Sequence, residues 1–177
     1  MKLFKVLLSI IGFFVLVFVV SLFFPREYHI KCDIVINKPP YESFAYMNNI
    51  RNWEDWSPWN TKLDSTMKTF YSKNTIGTGA TFYFRGGLTG SGSIRISESV
   101  LNERIKTFVS INEGAITSKA CFQFGKVADK TILSWIDDGD VGYNPIYRFM
   151  IPSKVKDTEL AFNEGLILIK HAIEARP

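Results

Sequence analysis

Residues 6–24 hold no charged side chain, and only Ser9, Gly12 and Ser21 interrupt a run of Val, Leu, Ile and Phe. Wound as a helix at 1.5 Å per residue, the run reaches about 28 Å, close to the roughly 30 Å hydrocarbon core of a bilayer. Lys2 and Lys5 precede it, as they would in a cleavable signal peptide. The apolar stretch is longer than the usual signal core, however, and Ser21-Leu22-Phe23-Phe24-Pro25 offers no small-x-small cleavage site. A retained transmembrane anchor over residues 1–25 is therefore expected. Lys2 and Lys5 outweigh Arg26, so the positive-inside rule puts the N-terminus in the cytoplasm and exports the remainder.

Beyond the anchor the period changes. Residues 27–38 alternate apolar and polar side chains, which predicts a half-buried strand. Pro39-Pro40 ends it, and Pro40 suits a first helical turn. Phe44, Ala45, Met47 and Ile50 then recur at helical spacing, followed by a short helical piece around 52–56. From Thr66 the period is two: runs at 67–72, 80–85, 93–100, 105–111, 116–124 and 131–137 are separated by short turns, the pattern of an antiparallel meander. A loop with Asn144-Pro145 and Pro152 is expected before the last element. There Val155, Phe162, Leu166, Ile169 and Ile173 form one apolar stripe, with Lys156, Asp157, Asn163, Lys170 and Glu174 off it. The predicted fold class is α+β. A curved antiparallel sheet of about seven strands surrounds a long C-terminal helix in a single domain over residues 26–177, after one transmembrane helix.

The run Ile34-Val-Ile-Asn-Lys-Pro-Pro-Tyr-Glu-Ser-Phe44, with Asn52-Trp53-Glu-Asp-Trp56-Ser57-Pro58-Trp59, resembles the SRPBCC (START-like, helix-grip) superfamily. Within it the likeness is to the polyketide cyclase/dehydrase and lipid-transport branch. Gly77-x-Gly79-Ala80, Gly92-Ser-Ile-Arg-Ile-Ser-Glu-Ser99, Asn102-Glu-Arg-Ile105, Asn144-Pro145-Ile146 and Gly165-Leu166 extend it in the right order. The resemblance implies a deep apolar pocket between sheet and helix. It implies neither a particular ligand nor a catalytic triad, since one fold hosts many functions. Relatives more often carry an apolar residue at Asp137, so its carboxylate either reaches water or looks into the pocket.

Net charge changes little. Of 21 basic residues Lys2 and Lys5 belong to the anchor, leaving 19 against 17 acids. With no basic run or recognition helix, a nucleic-acid partner is not expected. Cys32 falls on the core face and Cys121 on the opposite one, which excludes a disulfide. His29 lies on the outer strand face and His171 in the last helical turn; neither joins a metal-ligand pattern. Asp137, Asp138 and Asp140 around Gly139 read as a solvated turn. The glycines from Gly86 to Gly92 read as a hairpin rather than a phosphate loop. No cofactor is expected, and the pattern specifies no oligomeric state.

Candidate pocket walls are Trp56, Trp59, Phe82, Phe84, Phe122, Phe124, Leu133, Trp135, Phe162 and Leu166, although core packing explains the same side chains. For catalysis the only acids worth testing are Asp137 and Glu98, with Tyr83 weaker; Arg95 alternates onto the outer face. Three functions fit: a membrane-tethered domain holding a lipid or other hydrophobic small molecule, a cyclase- or dehydratase-like enzyme using Asp137 or Glu98, and an interaction domain whose pocket is filled by side chains.

Overall fold

The computed structural model describes residues 2–57, 64–88, 90–114 and 116–176. Helix α1 (Lys2–Ser21) is long and apolar enough to cross a membrane. After it come β1 (Glu27–Ile36), α2 (Pro40–Met47) and a 3-10 turn over Ile50–Asp55. Six strands follow: β2 (Lys68–Tyr71), β3 (Thr81–Gly86), β4 (Gly90–Val100), β5 (Arg104–Ile111), β6 (Ile116–Val127) and β7 (Lys130–Asp140). The last element is α3 (Pro145–Glu174). All strands pair antiparallel in the order β1-β7-β6-β5-β4-β3-β2. This is the expected helix-grip architecture, with the first strand closing against the last.

Register decides which side chains face α3. Cys32 pairs with Trp135, Trp135 with Phe122 and Phe122 with Ile105, so these four stand in one row across the sheet. One step along, Ile30, Asp137, Ala120, Thr107 and Ile96 form the next row. Both rows point inward, because Ile30, Cys32, Ile96, Ile105 and Phe122 are buried. Helix α2 docks at the other end of β7, where the Ser43 and Thr131 hydroxyls meet at 3.0 Å and Thr131 donates to the Lys38 carbonyl at 2.7 Å. The Trp53 indole donates to the Met47 carbonyl at 2.8 Å, pinning the 3-10 turn to α2.

Two local expectations are corrected. The segment containing Pro152 is not a loop: α3 begins at Pro145 and runs through Pro152. Asn144 starts it, its Oδ1 accepting from the backbone N–H groups of Ile146 (3.0 Å) and Tyr147 (3.4 Å), with Pro145 preset for the first helical position. Pro152 removes one ladder bond, a cost of about 3 kcal/mol. Burial of Ile151 beside it offsets that loss. Nor is the Asp137–Asp140 segment a turn. It continues β7, because β1 runs as far as Glu27 and pairs with it residue by residue. The strand can pass Tyr28 only because Gly139 has no side chain, since a Cβ there would overlap the Tyr28 ring. Gly165 serves α3 in the same way: a Cβ at that position would come within 2.8 Å of the Trp135 ring.

Candidate functional site

The inner rows are not filled evenly. Toward the C-terminal half of α3 the described side chains pack closely. Trp53, Trp56, Phe122 and Trp135 meet edge-on or tilted with ring centroids 4.8–6.0 Å apart. Phe162 stacks on Trp135 at 4.0 Å. Toward the N-terminal half of α3 a cleft of about 290 Å³ remains. Tyr28 and Ile30 of β1 form one wall, with Asp137 and Val141 at the end of β7. Tyr147, Met150, Ile151, Lys154, Val155 and Thr158 of α3 form the other, at the spacing of one helical face.

Asp137 is the carboxyl among the lining residues. It is 7% exposed, and the Ser118 hydroxyl donates to its Oδ1 at 3.4 Å. Burial in this apolar setting pushes the carboxyl up to about 6, the Ser118 bond opposing and the Asp138 charge adding. Of the two possibilities for this position, the carboxylate therefore looks into the cleft. Its neighbours in sequence turn away: Asp138 pairs with His29 on the outer face, and Asp140 with Arg26 at 2.8 Å.

None of the nine described aromatic and aliphatic candidates lines this cleft. Trp56, Phe82, Phe84, Phe122, Phe124, Leu133 and Leu166 are buried in the packed core, and Trp135 and Phe162 are partly buried against it. Trp59 lies outside the described residues. Glu98 sits at the bulge in β4, held by Arg104 at 2.6 Å and Lys106 at 2.8 Å. Hydrogen bonds from Lys106 and Arg104 hold its carboxyl below the usual range. Tyr83 is exposed, and Arg95 lies on the outer face over the Phe108 ring. Cys32 and Cys121 are free thiols. Among the described residues no group of three His, Cys, Asp or Glu side chains is placed to hold a metal.

What sequence reading missed is the α3 wall from Tyr147 to Lys154, which it assigned to a loop on account of Pro152. The signal was present: Tyr147, Met150, Ile151, Lys154, Val155 and Thr158 keep helical spacing through the proline.

No family model matches this sequence, and no curated protein matches it. Solved structures do. A protein from Chromobacterium violaceum superposes with a TM-score of 0.58 at 14% identity, covering 84% of this chain and 98% of its own. CalU16 from Micromonospora echinospora gives 0.55 at 12% identity over 83% and 76%. Ara h 8.0201 gives 0.59 at 10% identity over 85% and 99%. At such identities the likeness concerns the fold alone, and that fold is of the helix-grip type.

Proposed function

We propose that this chain is a membrane-anchored binding domain that holds a small hydrophobic molecule, such as a lipid chain, in the cleft between β1, β7 and α3. The observation that carries the reading is the cleft itself, an apolar recess with one buried carboxyl at the end of the sheet nearest α1. Its volume lies at the lower limit of small-molecule pockets, which suits one acyl chain better than a two-chain lipid. Burying such a chain releases about 25 cal/mol per Å² of apolar surface.

Position supports the same reading. The Phe24 ring, just past α1, meets Phe149 of α3 at 4.7 Å. Around that contact Phe23, Tyr143, Ile146, Tyr147 and Met150 are exposed, an apolar and aromatic collar of the kind found at bilayer surfaces. Tyr147 and Met150 also line the cleft, so its mouth would open at the membrane. In this reading α1 stays attached, the N-terminus is cytoplasmic and the domain lies outside. Tethering holds the cleft at high effective concentration beside its ligand without any new contact.

The test has two parts. Protein in the membrane fraction should retain residues 1–24 by intact mass, whereas a mature chain lacking them would make the segment a signal peptide. Detergent-extracted wild-type chain should carry an extractable apolar compound that Val155→Phe/Thr158→Phe, which fills the cleft, loses by at least about tenfold, the factor that 1.4 kcal/mol represents. An unchanged yield from the filled variant sinks the reading.

Asp137 favours a second reading. A carboxyl raised to about 6 inside an apolar cleft is suited to proton transfer near neutral pH. A cyclase- or dehydratase-like activity would use it as the acid or base. Glu98, bound by two cations away from the cleft, is set aside for that role.

A further inference from the structure

Asp137 is a buried carboxyl whose surroundings supply little to hold its charge. It is 7% exposed and belongs to the lining of the cleft. Among the described residues it accepts from the Ser118 hydroxyl at 3.4 Å, whereas a hydroxyl on a carboxylate ordinarily closes to about 2.5–2.7 Å. It forms no ion pair among them. The two oxygens of a carboxylate can accept about four hydrogen bonds, so most of that capacity goes unused. An aliphatic side chain would wall the same space without a buried charge.

The elements around it explain why the chain does not meet that need itself. Across the sheet Asp137 stands between Ile30 of β1 and Ala120 of β6, neither of which has a donor in its side chain. Backbone N–H groups of a strand paired on both edges lie in the plane of the sheet and serve the ladder. The other polar side chains of the cleft are Tyr28 of β1 and Tyr147, Lys154 and Thr158 of α3. None of them donates to Asp137 among the described residues. Lys154 is exposed, and no cation offsets the burial that raises this carboxyl. What the site lacks is a donor arriving through the cleft.

We infer that the occupant of the cleft is a single-chain amphiphile whose polar end donates hydrogen bonds, an alcohol or a primary amine, and that Asp137 accepts from that end. The inference rests on the binding reading above and narrows its ligand to a hydrogen-bond donor on an apolar tail. Either head gives the carboxylate a charge-assisted bond, which is stronger than one between neutral groups. A carboxylate or phosphate head would meet a like charge at the same place.

The test uses the full chain in phosphatidylcholine nanodiscs at pH 8, above the value of about 6 at which this carboxyl loses its proton. Four probes share one tail with a mid-chain diazirine: decanol, decylamine, decyl methyl ether, which accepts but cannot donate, and decanoic acid. Light-driven labelling of cleft residues by the alcohol or the amine should exceed labelling by the ether about tenfold, and the stronger of the two identifies the head. Asp137→Leu should bring both down to the level of the ether. Asp137→Asn, whose amide oxygen still accepts, should keep part of the alcohol's margin and lose the amine's. Equal labelling of the wild-type chain by all four probes overturns the inference and leaves apolar binding standing. Strongest labelling by decanoic acid would put an anionic head in the cleft and also overturn it, as would margins that survive in Asp137→Leu. No cleft labelling by any probe removes the binding reading and the inference with it.

Discussion

Phe122→Ala is expected to cost about 3–5 kcal/mol of folding stability and to leave the cleft's ligand in place. The ring is 1% exposed and touches Trp53, Trp56 and Trp135, with centroids 5.8, 6.0 and 4.8 Å away. Those neighbours cannot fall into the space it would vacate. Trp53 is tied to the Met47 carbonyl at 2.8 Å, and Trp135 is held by its stack on Phe162 at 4.0 Å. A cavity that cannot collapse adds its own cost to the lost transfer energy of the ring. Met150→Ala offers the contrast. Met150 is 42% exposed at the cleft mouth, so truncation there should cost less than about 1 kcal/mol while weakening ligand retention. Urea unfolding of the detergent-solubilised chains, with extraction of bound compound, measures both quantities. A Phe122→Ala chain that keeps its stability but loses its compound would show that the aromatic cluster is a binding wall and not the core.

Asp137→Asn should stabilise the chain at pH 8 by about 1–2 kcal/mol and have no such effect at pH 4. The folded-state value of about 6 lies above the ordinary carboxyl value of 3.8. Between those pH values the folded chain holds a proton that the unfolded chain has released. This carboxyl's contribution is therefore most favourable below pH 4, declines as pH rises to about 6, and stays reduced above it. A tenfold difference in proton affinity between folded and unfolded chains is worth about 1.4 kcal/mol. Water admitted to the cleft screens the charge and keeps the effect modest. An asparagine keeps the shape and the bond to Ser118 without the charge. Unfolding at pH 4, 6 and 8 should show the two chains diverging as pH rises. A constant difference across that range would mean that the carboxyl is solvated, and the proton-transfer reading would go with it.

Much of the site is readable in residue order. The strand faces are: Tyr28, Ile30 and Cys32 alternate with His29, Lys31 and Asp33, and the structure turns the first set inward, Tyr28 half-buried and the other two buried, and leaves the second exposed. Asp137 is readable too, since it keeps step with Leu133 and Trp135 and breaks their apolar pattern. The aromatic residues expected as pocket walls are readable as inward-facing. Alternation reports direction and nothing about what fills the space opposite, so core and cavity look alike along a strand. The burial of Arg148 on α3, where it is 6% exposed, is not legible at all. A basic residue three after one Pro and four before another reads as loop surface, and its burial depends on a helix that continues through Pro152.

By itself, then, residue order determined the apolar first helix, the strand–helix–meander–helix order and the inner face of each strand. All three follow from local periodicity, in which each residue's environment repeats with its own backbone geometry. Tertiary structure decided the rest. The pairing of β1 with β7 brings together residues about a hundred positions apart, turning an apparent acidic turn into a strand edge with Asp137 inward. The seating of α3 decides that the aromatic end is closely packed and that the opening lies beside the helix's N-terminal half. Both are consequences of which distant surfaces come into contact, and no local pattern contains that information.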